Sequence, residues 1–291
     1  MFKVCAQQLR YMFVNIRFYI SMLIGITMHI VCIMLLVEFA DSMGSKLNIV
    51  ELFTYFNCDV FTYAAALLGF FLLVSDIPFA AYDEIYILMR QNKRKWLIGK
   101  IMFLFIASLL YYMVIIVAGI LYAMGTVCLD NCWSDALKTL ETDNSGIYAS
   151  VFSVSFPYSH ILSGFTPFQA FSISFVLSVL YSFSMSLLLF LLNLIWPRVI
   201  GYFATILIHC LGYAMVAVLS VNKLAKFSLF GNSALMYHSV GSYYTDGRFL
   251  SVQGSICMFS IFIAVTICTL CQVVKKHNFD FMVNGNDAKS L

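Results

Sequence analysis

The sequence predicts an all-α polytopic membrane protein with six transmembrane helices, an N-terminal interfacial helix ahead of them, and both termini cytoplasmic. Three observations lead there. The 291 residues are 62% hydrophobic and only 11% charged, with a mean hydropathy of +0.91, well above the roughly 45–50% apolar content of globular chains. Uncharged runs are long enough to cross hydrocarbon about 30 Å thick, which takes about 20 helical residues. The cations are unevenly placed along the chain. This composition excludes a water-facing enzyme, a nucleic-acid binder and a disordered tail. Nine cysteines add little, because most sit in apolar stretches where a thiol behaves as a small hydrophobe.

An unpaired backbone amide is too costly in lipid for open structure to survive there, so each charge-free window is read as a helix. The spans fall near residues 18–37, 57–77, 101–124, 166–195, 199–221 and 252–274. The second is short between Asp59 and Asp76, and draws Phe56, Asn57 and Ile77 to its interfacial ends. No formal charge occurs from Asn144 to Pro197, yet Ser145, Gly146, Ser150, Ser153, Ser155, Pro157, Ser159 and His160 read as loop, so the fourth span starts near Thr166. The first apolar run is too long for a signal-peptide core and is kept as a span. Lys and Arg are retained on the cytoplasmic face. With the N-terminus inside, twelve of the 17 cations fall on inner segments, among them Lys93, Arg94, Lys95, Lys100, Lys275 and Lys276. Lys46, Lys138, Lys223, Lys226 and Arg248 fall outside.

Two inner segments carry candidate mechanism. Residues 2–17 place Phe2, Cys5, Leu9, Met12, Phe13 and Ile16 at helical spacing, with Lys3, Gln7, Arg10 and Arg17 opposite. Such a stripe fits a helix lying in the acyl boundary with its cations among headgroups; a run that merely orients the first span fits as well. Between spans two and three, residues 76–96 place Asp76 as the cap of a helix started by Pro78, with Asp83 and Glu84 early and Arg90 to Lys95 late, as the helix dipole favours. Phe79, Tyr82, Tyr86 and Met89 recur at steps of three and four and give one side an aromatic face that needs a partner. A solvated basic loop held at the interface by Trp96 is the other reading.

The basic N-terminal helix, the loop DEIYILMRQNKRKWLIGK, six spans and the short basic tail VKKHNFDF together resemble a permease subunit of the ABC-2 type exporters over essentially the whole chain. The resemblance implies one transmembrane permease domain over residues 1–291 that pairs with a second permease copy or a sister permease. It also implies two copies of a separate ABC ATPase, which bind the ATP and Mg, and a multi-pass location in the plasma membrane. The ATPase contacts of that family map here onto residues 2–17 and 76–95, with Phe79, Tyr82, Asp83, Glu84, Tyr86, Met89 and Arg90 as coupling residues. The chain itself has no phosphate loop: Gly99-Lys100 is followed by Ile101 and lacks the upstream glycine and the hydroxyl. No catalytic residue, metal ligand, cofactor of its own or nucleic-acid partner is expected.

Ser174, Ser178, Ser182 and Ser186 step by four along the fourth span. Close helix packing explains such a stripe in lipid, and a lining for a substrate path explains it too. His29 and His209 are the ionisable groups inside spans, apart from Cys and Tyr, and fit either neutral hydrogen-bonded rings or proton carriers. The outer segment 222–250 carries Leu229, Phe230, Leu235, Met236, Tyr237, Tyr243 and Tyr244, which suit short helices dipping into the interface or an ordinary aromatic belt. Cys128 and Cys132 are close enough in sequence for a small disulfide loop if their Cα atoms approach. An intramembrane enzyme lacks its motifs here. The alternatives are a secondary transporter, for which repeats or broken helices at the midplane are not evident, and a membrane sensor or immunity protein, which needs no ATPase.

Overall fold

The computed structural model describes residues 2–78, 92–142, 159–218, 225–240 and 249–276. Five helices are long and apolar enough to cross a membrane, and a bent helix pair makes a sixth candidate. The α-helices of the described residues, in chain order, are α1 (Phe2–Val14), α2 (Ile16–Ser42), α3 (Ile49–Cys58), α4 (Val60–Val74), α5 (Lys93–Tyr122), α6 (Asp135–Thr142), α7 (Ser159–Gly164), α8 (Pro167–Ile195), α9 (Arg198–Tyr213) and α10 (Val252–Lys276); the span candidates are α2, α5, α8, α9, α10 and the bent pair α3–α4. A π-helical turn, Ala214–Val218, extends α9, and three 3-10 turns follow at Ala225–Phe227, Gly231–Ser233 and Leu235–Tyr237. Two short strands, Leu47–Asn48 and Val127–Cys128, pair in parallel and join the connection after α2 to the one after α5. Cys128 and Cys132 beside them are free thiols.

The local starts and stops follow from side chains. Asn15 separates α1 from α2 and caps α2 by accepting from the Arg17 amide. Thr166 and Gln169 form a reciprocal capping box and Pro167 opens α8, which sets the start of that helix where the hydroxyl first reaches an orphan amide. Asp59 ends α3 and begins α4, accepting from the Phe61 amide and the Thr62 hydroxyl. The chain turns by 91° there. The sequence predicts one span over 57–77 with Asp59 near its interfacial end; in the structure Asp59 is an elbow between two helices. The 15 residues of α4 rise only about 22 Å at 1.5 Å each, so the pair crosses together or α3 lies across the end of the bundle.

Helix α8 is the axis. Of its apolar window 67% is buried, against 17% for α10, which lies at the edge. α8 packs on α3, α5, α9 and α10, while α2 packs on α4 and α5. Large apolar side chains such as Leu23, Phe61, Val117, Phe203, Leu207, Ile261 and Val265 point outward and stay exposed, as a lipid-facing surface requires.

Two features depart from the expected inner segment. α1 does not turn all its predicted stripe inward: Val4, Cys5, Gln8 and Met12 are buried, whereas Phe2 and Phe13 are exposed, because α1 docks against α5. And α5 begins at Lys93, two turns before the predicted span. Lys100 and Trp96 are therefore not loop residues. Both are fully buried; the Lys100 ammonium donates to Gln8 Oε1 at 2.8 Å and lies 5.8 Å from the Trp96 ring, which itself packs on Phe190.

Helices α2 and α5 meet through glycines. A Cβ on Gly119 would overlap the His29 ring, and one on Gly25 would fall 2.5 Å from the Tyr111 hydroxyl, the close approach that small residues permit in lipid. We expect Gly119→Ala to lower the thermal midpoint of the detergent-purified chain, by about 1–3 kcal/mol of overpacking, and His29→Ala to be less damaging in that background than in the wild type. An unchanged midpoint for Gly119→Ala speaks against the contact.

Candidate functional site

The polar side chains of the bundle gather in three places. The first is a knot where the α3–α4 elbow meets α8. Asn57, fully buried, donates to Ser178 Oγ and to the Ser233 carbonyl, both at 3.1 Å, and accepts from the Leu235 amide at 2.8 Å. One amide thus ties α3, α8 and the 3-10 segment. Tyr63 on α4 donates to the same Ser178 oxygen at 3.0 Å, and Tyr112 on α5 pairs with Ser182 at 2.7 Å. His209 on α9 lies 3.2 Å from the Ala64 carbonyl through Nε2 and 2.7 Å from the Tyr181 hydroxyl through Nδ1. A carbonyl only accepts, so Nε2 carries the proton and Nδ1 accepts from Tyr181. Phe230, from between two 3-10 turns, inserts its ring among Tyr63, Tyr181, His209 and Tyr213 at centroid distances of 5.3–6.2 Å.

The serine stripe belongs to this knot. Ser174, Ser178, Ser182 and Ser186 are all fully buried. Ser178 and Ser182 bond across to other helices, Ser186 bonds back to the Phe183 carbonyl, and Ser174 Oγ has no partner among the described residues.

The second place is the loop-rich end of the bundle. Glu51 is fully buried at the start of α3, where its oxygens accept from the Asn48 amide at 3.1 Å and the Ser134 amide at 2.6 Å. Asn48 in turn donates to the Asp130 and Cys132 carbonyls. This carboxylate sits on the positive end of a helix and pins α3 to the segment before α6. Nearby, His238 lies within 3.2 Å of the Ala234 and Leu235 carbonyls and 2.9 Å from Ser255 at the start of α10. Burial pulls the His238 imidazole down to about 4 from the ordinary 6.5, aided by the neighbouring His160, which burial also lowers.

The third place is the basic end. Asp76 accepts from Asn15 at 2.9 Å and pairs with Arg17, which also donates to Ser75 at 3.1 Å; the helix that Asp76 is expected to cap lies outside the described residues. The Ile77 carbonyl accepts from Asn193 near the end of α8 at 2.6 Å, and Gly201 of α9 leaves no room for a side chain against Asn193. A cleft of about 230 Å³ lined by Gln8, Tyr11, Asn15, Arg17, Phe18 and Asp76 opens beside this clamp. The segment that leaves it carries the expected coupling residues. Phe79, Tyr82, Asp83, Glu84, Tyr86, Met89 and Arg90 lie outside the described residues.

Glu51, Asn193 and His238 do not stand out in the sequence, Lys100 stands out only as an inner-face cation after Gly99, and Asn57 only as a helix end. The spacing Asn48-x-x-Glu51 is a capping-box signal that pointed to the first. Lone amides in apolar runs pointed to Asn57 and Asn193. The chain matches no known protein family, no curated protein and no solved structure.

Two measurements check these networks. Asn57→Ala leaves the Leu235 amide and the Ser233 carbonyl unpaired at about 1–3 kcal/mol each, so its thermal midpoint should fall well below wild type, while the exposed Ser260→Ala should not. A small, equal change in both means the knot is not structural. For His238, the folded value below the ordinary one means the neutral ring stabilises the fold fully above about pH 6.5. That contribution, about 3 kcal/mol at most, is lost as the pH falls from there through about 4. His238→Gln should flatten this part of the stability profile; a profile identical to wild type refutes the assignment.

Proposed function

We propose that the chain is the membrane permease subunit of an ABC-2 type exporter in the plasma membrane, with its basic end and both termini cytoplasmic. A separate ABC ATPase, in two copies, binds ATP and Mg and supplies the motion. A second permease copy or a sister permease completes the translocating unit.

The observation that carries this reading is the clamp at the basic end. Asp76 and Ile77 are the last residues before the segment between the second and third spans, and they are held by the α1–α2 corner through Asn15 and Arg17 and by the α8–α9 corner through Asn193. A displacement of that segment therefore acts on four helices together. Nucleotide binding closes the ATPase pair, residues 79–91 move with it, and the clamp passes the shift to α2 and α8, switching the bundle between two packings. Movement of α8 against α3 and α5 separates Ser178 from Asn57 and Ser182 from Tyr112, which uncovers the serine face as a polar path. The 3-10 segment with Phe230 closes that path at the loop-rich end.

The setting of Gly99-Lys100 supports assigning nucleotide binding to the separate ATPase. Gly99-Lys100 sits inside a transmembrane helix, with Lys100 engaged by Gln8, where a phosphate loop needs free backbone amides between a strand and a helix.

Replacing Tyr82, Tyr86 and Arg90 by alanine together should release the ATPase from a pull-down of the tagged chain and abolish ATP-dependent export from membrane vesicles. Asp76→Asn should keep the ATPase bound but lower export per ATP hydrolysed. Unchanged co-purification of the triple variant, or solute movement down an ion gradient by the purified chain alone, overturns the proposal.

A further inference from the structure

The first turns of α5 and the last turns of α10 line a groove of about 260 Å³ at the basic end. Its floor is apolar: Leu97 and Val274 are buried walls, and Ile98 is exposed along it. Its rim is cationic, with Lys93 and Arg94 from one helix and Lys275 from the other. These cations are some 180 residues apart in the chain, yet the fold brings them to one opening. No acidic side chain among the described residues lines it.

Each half of this arrangement alone has an ordinary explanation. Cations at a helix end need only water, and an apolar groove in a membrane needs only hydrocarbon. Together, at the depth where headgroups meet acyl chains, they match a molecule with an anionic head and an apolar tail. The groove faces outward from the bundle, since Ile98 and Cys271, which line it from the two helices, are both exposed. We propose that it is a binding site for an anionic phospholipid of the adjacent leaflet. The phosphodiester sits between Arg94 and Lys275 with Lys93 beside it, and one acyl chain lies along Ile98 and Val274. A zwitterionic lipid brings its own cation to the same rim and is disfavoured there. Bound in this way, the lipid joins α10 to α5, two helices that otherwise share a thin interface. The site does not depend on the exporter reading.

Cys271 lines the groove, and Cys268, one turn earlier on α10, does not; both are exposed. The test is maleimide labelling of the detergent-purified full chain, read at each cysteine by peptide mass spectrometry. Added phosphatidylglycerol should slow Cys271 by 1 + [L]/Kd, about tenfold when the lipid is at about ten times its Kd, and leave Cys268 unchanged. Arg94→Gln with Lys275→Gln should restore the Cys271 rate, with elution and thermal midpoint as in wild type. Lys276→Gln, outside the groove, should leave the protection intact. Equal protection by phosphatidylcholine overturns recognition of the anionic head, and protection by inorganic phosphate alone overturns the lipid. Loss of protection in Lys276→Gln reduces the effect to surface charge and overturns the site. A Cys271 that is unreactive before lipid is added, and freed by deleting residues 277–291, shows the groove to be filled by the chain's own tail and overturns it as well.

Discussion

Hydrocarbon offers no hydrogen-bond partner, so polar side chains carried into the bundle are costly there unless the chain itself supplies a partner. The arrangement of helices follows from that constraint more than from apolar contact, because lipid tails are as apolar as leucine. Asn57, Tyr63 and Tyr112 reach α8 from three different helices, and the Tyr111 hydroxyl donates to the Ala66 carbonyl at 2.5 Å between α5 and α4. Each bond satisfies a group and at the same time fixes how far one helix has slid along another. Serine at every fourth position of α8 gives that helix a single face on which these bonds converge.

The spanning helices were legible because hydropathy alone decides them: α2, α8, α9 and α10 lie where charge-free windows lie. What hydropathy did not reveal is where helices begin within charged sequence. The cations Lys93 to Lys100 read as loop, but Asn92 caps the helix through the Arg94 amide, and Gln8 offers Lys100 an acceptor from ninety residues away. No local pattern announces such a distant partner. The Asp59 elbow is similar. An acid between apolar runs looks like a boundary, and only the side chains that occupy its two caps turn it into a corner. Of the candidate site, the serine stripe was visible as a periodicity, whereas its partners Asn57, Tyr63 and Tyr112 come from separate helices and become neighbours only on folding.

The two ends of the bundle are held differently. At the loop-rich end the bonds are buried: Glu51 with the Ser134 amide, the paired short strands, and His238 with Ser255. At the basic end the bonds are mixed: Asn193 with the Ile77 carbonyl and Lys100 with Gln8 are buried, while Arg17 and Asp76 are partly open to solvent, with side chains 45% and 27% exposed. A solvated ion pair contributes little, on the order of 0–1 kcal/mol, while a buried one-sided loss costs more. At the basic end the Arg17–Asp76 pair is therefore the contact that yields most cheaply, and the buried Asn193 and Lys100 bonds are the ones that resist.

The brevity of α4 reaches beyond the protein. Where α3 lies across the end of the bundle and α4 crosses alone, its outward side chains Phe61 and Leu68 cover a hydrophobic height about 8 Å short of an ordinary bilayer core. Lipids along that flank must compress or tilt to keep their tails out of water, at a fraction of a kcal/mol per ångström of mismatch. The 91° elbow at Asp59 thus sets the thickness the protein asks of its surroundings on that flank: thin where α4 crosses alone, ordinary where α3 completes the crossing.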